Sequence, residues 1–431
     1  MRTKLLMAIA CLLGLCIGFG ACVKGNDEDA EVNVSTIVTA FGIDTIYGTY
    51  YTFSIDQLNH TIFNEDSLPI GSEDLLDTIA ITTFTASGYI TSGLLDSVVV
   101  VGNDADLTPA INKPGIIFKI ISTDGSRAQE YTLQVNVHKT DPEELSWKNI
   151  DNLPTVLQSA KSTDQKMLRK GDDLLMLLNK NMLVRGEVSN RLSYTWDTYT
   201  MQGLPDDALL HSTLCYQDLL YMITESGDVY NSDDGELWQK NETLSGGVQT
   251  LLAAYSNKLL AVRDVEDENL FCLTTAPDEP WTNGEPLENN FPTKRVSSSV
   301  FISDTGVERA ILVGKTDFIT EKTLPWMTID GDDWAAMSTA TDYYCPFFAN
   351  PTIIYYDDFF YVVGSGLEEL YESIGGIVWG KTVGKFQLPE SVSGHEYYAL
   401  TTDDENFIWL LVIGNDGEET QLWRGRLNEL N

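Results

Sequence analysis

From Asp173 onward, short apolar runs recur, each opening just after a polar, turn-like position. They are DLLMLL (from Asp173), DLLYMI (from Asp218), KLLAV (from Lys258), RAILV (from Arg309), DFFYVV (from Asp358) and NFIWLLV (from Asn406). Their first apolar residues, Leu174, Leu219, Leu259, Ala310, Phe359 and Phe407, lie 45, 40, 51, 49 and 48 residues apart. Runs of this length between turn signals read as six buried strands. Each has a candidate partner just upstream: KMLRK, STLCYQ, QTLLAAY, SSSVFIS, PTIIYYD and YYALTTD. Hairpin signals such as Ser226-Gly227 and Asp416-Gly417 follow downstream. A ladder of tryptophans, Trp147, Trp196, Trp238, Trp281, Trp334 and Trp379, repeats every 42 to 53 residues. A period near 45 suits a unit of four short strands, as in a β-propeller blade.

The two ends of this region are complementary. Ser146 to Pro154 reads as an outermost strand with no unit before it. TQLWRGRL (Thr420 to Leu427) reads as a third strand with no fourth after it. Pairing them completes a sixth unit and leaves no open edge. A seventh would need a run that the sequence lacks.

The best internal match sets Y-N-S-D-D-G-E-L-W (Tyr230 to Trp238) against Y-E-S-I-G-G-I-V-W (Tyr371 to Trp379), with W-M-T-I-D-G-D-D-W (Trp326 to Trp334) at the same length. The pattern resembles the Asp-box of sialidase-type propellers, Ser-x-Asp-x-Gly-x-x-Trp. Asn231, Asp233, Gly235 and Trp238 occupy its positions, with Asn in place of Ser. The resemblance implies a structural turn: side-chain oxygens bind turn amides and the indole packs between strands.

Residues 36–138 differ. They hold no Trp and no 45-residue repeat. Strand-like runs dominate: TIYGTYYTFSI, DTIAITTFTA, DSVVVVG, GIIFKIIS and EYTLQVNV, the last two flanking an Asp124-Gly125 turn. About a hundred residues of this type predict an immunoglobulin-like sandwich. Residues 139–145 then form a polar linker, and 146–431 a six-bladed propeller. The expected class is all-β.

At the other end, Arg2 and Lys4 precede fifteen uncharged, mostly apolar residues (Leu5 to Phe19) and then Gly20-Ala21-Cys22. This arrangement resembles a bacterial lipoprotein signal, with residues 1–21 removed and Cys22 lipidated. An ordinary secretory signal and an uncleaved anchor are the alternatives, although Leu5 to Ala21 is short for a span. Residues 22–35 make an acidic tether. The V-K-G-N-D-E-D that follows Cys22 resembles the surface-export signal of Bacteroidota lipoproteins. The resemblance implies an outer-membrane lipoprotein exposed on the cell surface and held there by its lipid alone.

Composition narrows the chemistry. The chain carries a formal charge of −37, and a surface of that sign repels nucleic acid and anionic membrane. The carboxylates are dispersed, and no EF-hand loop appears, so calcium would rest on count alone and no other cofactor is expected. Beyond the leader, Cys215, Cys272 and Cys345 fall in different units, which is not a disulfide framework. Without CxxC or CxxH spacing, no structural metal is expected.

Anchor, sandwich and propeller together resemble Bacteroidota surface lipoproteins whose propellers are likened to kelch proteins, galactose oxidase or sialidases. A sialidase site needs three arginines, a Tyr–Glu pair and an acid; no propeller arginine lies in the Arg-Ile-Pro context of that family. Copper chemistry needs two histidines and two tyrosines; His211 and His395 both stand just before a first strand, almost four blades apart. No nucleophile-elbow, zincin or phosphate-loop motif occurs.

Binding leads by elimination, because propeller loops present side chains around a channel. The loop Tyr343-Tyr344-Cys345-Pro346-Phe347-Phe348 offers Tyr343, Tyr344, Phe347 and Phe348 to a sugar face or a protein, or else to packing between blades. Lys294-Arg295 is an isolated basic pair that could receive an anionic group, or a solvated loop. Three readings stay open: a non-catalytic binding or accessory module for glycans or macromolecules, a glycan-active hydrolase or lyase, and a structural component of an outer-membrane assembly.

Overall fold

The computed structural model describes residues 34–92, 97–98, 101–112, 115–188, 194–316, 320–338, 342–384 and 386–428. The leader, Cys22 and nearly all of the acidic tether lie outside the described residues. The chain forms two compact units that divide between Asp141 and Pro142. Strands dominate both, and no described helix is long and apolar enough to cross a membrane.

The first unit has two sheets. Val38–Ile43, Ile79–Ala86 and Asp104–Ala105 form one. The other runs Phe53–Asp56, Thr61–Asn64, Ala128–Gln134, Ile116–Ile121, Tyr89–Ser92, Ser97–Val98. Its pairings are antiparallel except that of Thr61–Asn64 with Ala128–Gln134. Alternation sends Ile116, Phe118 and Ile120 into the core and Ile117 and Lys119 outward. Phe41 meets Phe53 and Phe84 edge-on at 5.1 Å, and Phe84 meets Phe118 at 4.9 Å, the geometry that aromatic quadrupoles favour. At the Asp124-Gly125 turn, Asp124 Oδ1 accepts from the Ser122 and Ser126 hydroxyls and the Ser126 amide. These donors lower its carboxyl to about 2.

The second unit holds six four-stranded antiparallel sheets among the described residues. Five are meanders of consecutive strands that open with Lys166–Lys170, Ala208–Tyr216, Val248–Ala254, Lys294–Ile302 and Thr352–Tyr356. The apolar runs are the second strands. In Asp173–Leu178 every residue after Asp173 is buried, and Ile408–Val412 is buried throughout. A strand with sheet neighbours on its edges and packed sheets on its faces can carry no polar side.

The sixth sheet joins the chain ends. Tyr398–Thr402, Ile408–Val412 and Gln421–Leu427 are completed by Leu145–Asn149, which pairs antiparallel from Leu145↔Leu427 to Asn149↔Trp423. The opening strand of each sheet packs on that of the next, and the sixth on the first.

Candidate functional site

Asp164 stands two residues before the opening strand of the first sheet. Its Oδ1 is 2.7 Å from His211 Nδ1, on the opening strand of the second sheet, and 2.7 Å from Arg295 NH1, on that of the fourth. Its Oδ2 accepts from the Leu210 amide at 2.8 Å. Local irregularities place both partners. The register of Ala208–Tyr216 shifts between Leu209 and Leu214, and that of Lys294–Ile302 between Lys294 and Ser297. Arg295 sits at φ 50°, a left-handed conformation rare for a long side chain. Bulges re-aim side chains out of a ladder, and here they turn His211 and Arg295 to one carboxylate. Burial alone would raise the Asp164 carboxyl. The His211 bond, the charges of His211 and Arg295 and the Leu210 amide outweigh it and hold the carboxyl below its ordinary range.

Around this node lies a cavity of about 80 Å³, where the opening strands of five sheets begin. Gln165, Lys166, His211, Arg295 and Glu396 line it. Gln165 is 9% exposed. Its amide nitrogen donates to Tyr398 O at 2.8 Å, and its Oε1 has no partner. The ammonium of the half-buried Lys166 makes no hydrogen bond among the described residues, and burial brings it down to about 8 despite the pull of Asp164. Lys315, the register partner of Lys294, is also lowered, by burial first and then by Arg295. Cations therefore gather here in a chain of charge −37.

Of the residues singled out from the sequence, His211 and Arg295 meet at Asp164, with Lys294 next to Arg295 in the chain; the others fall elsewhere. Tyr343 and Phe347 are exposed, and Lys322 Nζ sits 3.9 Å from the Tyr344 ring centre. Phe348 turns inward onto Tyr371 at 5.8 Å. Its packing is close, since a Cβ on Gly364 would come within 2.6 Å of the Phe348 Cβ. This is core packing, and it separates Phe348 from the exposed pair. His211 lies inside its opening strand rather than before it, because that strand begins at Ala208. His395 does precede its strand; it is buried, with Nδ1 2.9 Å from Val392 O.

The turn at Asn231, Asp233, Gly235 and Trp238 is corrected by one position. Ser232 Oγ accepts from the Gly235 amide at 2.9 Å, and Asp234 Oδ1 accepts from the Glu236 and Leu237 amides. The Trp238 indole donates to Gly235 O. Ser232 is buried at the strand end and faces the turn, whereas Asp233 is exposed. Ser373, Gly376 and Trp379 repeat this geometry, and Thr328 Oγ1 accepts from Gly331 in the same way. The repeated unit is thus Ser/Thr-x-x-Gly-x-x-Trp.

Cys215, Cys272 and Cys345 are free thiols. Burial pushes Cys272 up to about 12 and Cys345 higher still, so neither is a nucleophile near neutrality. Among the described residues no three His, Cys, Asp or Glu side chains converge as a metal site.

Sequence comparison places the chain in a family. A model described as the DUF6242 beta propeller domain matches residues 141–431, and one described as the N-terminal domain of DUF6242, a domain of unknown function, matches residues 26–135. The chain belongs to the DUF6242 family. Its second unit is the DUF6242 β-propeller. No curated protein matches it. Several solved structures are similar. YCF48 bound to D1 peptide has a TM-score of 0.38 and 14% identity, over 64% of this chain and 79% of that one. A protein of unknown function from Dyadobacter fermentans has 0.41 and 11%, over 65% and 97%. The PQQ-bound aldose sugar dehydrogenase from Streptomyces coelicolor has 0.38 and 13%, over 66% and 99%. At these scores the likenesses carry no argument about ligand or activity.

Asp164 escaped the sequence reading. The partners of its carboxylate lie 47 and 131 residues away. The signals in the sequence were the basic pair Lys294-Arg295 in an acidic chain and the isolated His211.

Proposed function

We propose that the DUF6242 propeller is a non-catalytic binding or accessory module that meets glycans or other macromolecules at its inner cavity. The carrying observation is the state of Asp164. Both its oxygens are occupied by donors, so it is a scaffold for His211 and Arg295 rather than a proton donor or base. A glycosidase needs a carboxyl that exchanges a proton. The donors that Asp164 positions suit recognition instead. In this reading the six sheets are the blades of a closed six-bladed ring, supported by the neighbour-to-neighbour packing of their opening strands. The first unit is an immunoglobulin-like spacer, supported by its two sheets on one core. The chain is an outer-membrane lipoprotein, lipidated at Cys22 and exposed at the cell surface. That part rests on the leader resemblance alone.

A glycan array probed with the full-length protein, with product analysis of every hit, tests this. Binding without turnover is expected, weakened in Arg295→Gln. Turnover of a bound glycan sinks the non-catalytic reading. Binding that ignores Arg295→Gln but is lost in Tyr343→Ala/Phe347→Ala moves the site to the aromatic loop.

A further inference from the structure

The inner cavity presents two demands that no side chain meets. The first is for negative charge. Lys166 and Arg295 line it, and Lys315 interacts with Arg295 nearby. The resident carboxylate, Asp164, is shared between His211 and Arg295 and leaves the Lys166 ammonium without a hydrogen bond. Glu396 also lines the cavity and limits the excess without cancelling it. The second demand is for a donor. Gln165 Oε1 is buried with no partner, and its orientation is fixed because the same amide donates to Tyr398 O. A buried acceptor left unpaired is costly. A simple anion has no proton to give it.

From these demands we infer that the cavity takes an anionic saccharide, with a carboxylate or sulfate set against Lys166 and Arg295 and a neighbouring hydroxyl donating to Gln165 Oε1. This deepens, and rests on, the binding reading above. At about 80 Å³ the cavity admits the charged group and its adjoining hydroxyl, with the rest of the sugar outside. A neutral sugar would leave the charge of Lys166 uncompensated, and inorganic sulfate would leave Gln165 Oε1 without a donor. The overall charge of −37 opposes any polyanion, so selectivity falls to this one cationic spot.

The test uses the full-length protein with methyl-labelled methionine, because Met167 lines the cavity and reports occupancy there. The probes are galacturonic acid trimer, its methyl ester, galactose 6-sulfate, neutral galactotriose and inorganic sulfate. Expected are a Met167 shift with the acid trimer or the sulfated sugar and at least tenfold weaker binding of the ester and the neutral sugar. Losses of tenfold or more are also expected in Lys166→Met, Arg295→Gln and Gln165→Leu, with Arg295→Lys partly restored. Whether the trimer or the sulfated sugar binds tighter distinguishes the two sources of charge.

Neutral galactotriose binding as tightly as the acid, with Arg295→Gln unaffected, overturns the inference and leaves the binding reading standing. Inorganic sulfate matching the sugars removes the role of Gln165 and overturns it too. Silence of Met167 towards all five probes in a folded protein also overturns it. Array hits insensitive to Arg295→Gln would then take the binding reading down separately.

Discussion

Gly425 lies opposite Trp147 in the antiparallel pair that joins the ends of the propeller, and a Cβ built on Gly425 would come within 2.8 Å of the indole. Gly186 faces Trp196 in the same way, at 2.2 Å. In these two sheets the tryptophan is seated by lying on a glycine, whereas the Trp238 and Trp379 indoles donate into a turn. Gly425→Ala must displace Trp147, whose indole donates to Gln387 O at 2.8 Å. Overpacking of this kind costs about 1–3 kcal/mol. Because the pair joins the two ends of the second unit, the loss should show as a lower denaturation midpoint of that unit. An unchanged midpoint would mean that the closing strand contributes little.

The one-position correction at the turn gives a sharper test. Ser232→Ala and Ser373→Ala each remove the acceptor of a buried glycine amide and should each cost about 1 kcal/mol. Asp233→Ala, on an exposed position, should stay within about 0.5 kcal/mol. Chemical denaturation of the three variants settles the register. A costly Asp233→Ala with a silent Ser232→Ala would restore the Asp-box spacing.

What was legible in the chain follows from how local each signal is. The buried second strands announced themselves because six runs repeat the same short pattern. Their partners were legible because an antiparallel meander pairs sequence neighbours. The turn was misplaced because Asn231-Ser232-Asp233-Asp234 offers two adjacent sets of capping side chains, and only the pleat of the strand decides which set faces in. The short helices at Glu73–Leu76 and Thr155–Gln158 are too brief to leave a period. The site was least legible. Asp164, His211 and Arg295 meet only after three sheets are in place, and two register shifts that no motif marks aim His211 and Arg295.

The aromatic loop divides into two roles. Phe348 packs on Tyr371 and over Gly364, so Phe348→Ala should destabilise by about 2 kcal/mol, less than a fully buried ring would. Phe347 is 55% exposed, and Phe347→Ala should leave the midpoint unchanged. Thermal unfolding compares them directly. A large loss in Phe347→Ala would show that this ring too serves packing, and would remove it as a contact for any ligand.

Asp164 ties three opening strands, so Asp164→Asn should cost about 2 kcal/mol at pH 7, chiefly by leaving Arg295 without its counter-charge. The sign with pH is fixed by the lowered carboxyl. Its stabilisation is complete above the ordinary carboxylate value of 3.8 and is lost as pH falls through the lower folded value. Denaturation curves of the two proteins should therefore converge only in strong acid. A gap that stays open in strong acid would show that the loss has another origin than the Asp164 charge.

Lys166 yields the opposite sign. Burial lowers its ammonium from 10.5 to about 8. Between those values the unfolded chain still holds a proton that the folded chain has released, so this residue makes stability rise with pH across that window. Below it, the charged amine is a standing cost. Lys166→Met, which fills the same space without charge, should therefore stabilise the protein at pH 7 by about 1–2 kcal/mol, a figure discounted for partial solvent access. The gain should shrink from pH 8 upward and vanish near 10.5. A residue that weakens the fold at neutral pH is expected where charge serves a ligand, so the same variant should lose the anionic saccharide. Unfolding midpoints from pH 7 to 10.5, beside one binding titration, check both halves. A variant less stable at pH 7 would show that Lys166 is a structural ion partner and not a poised binding group.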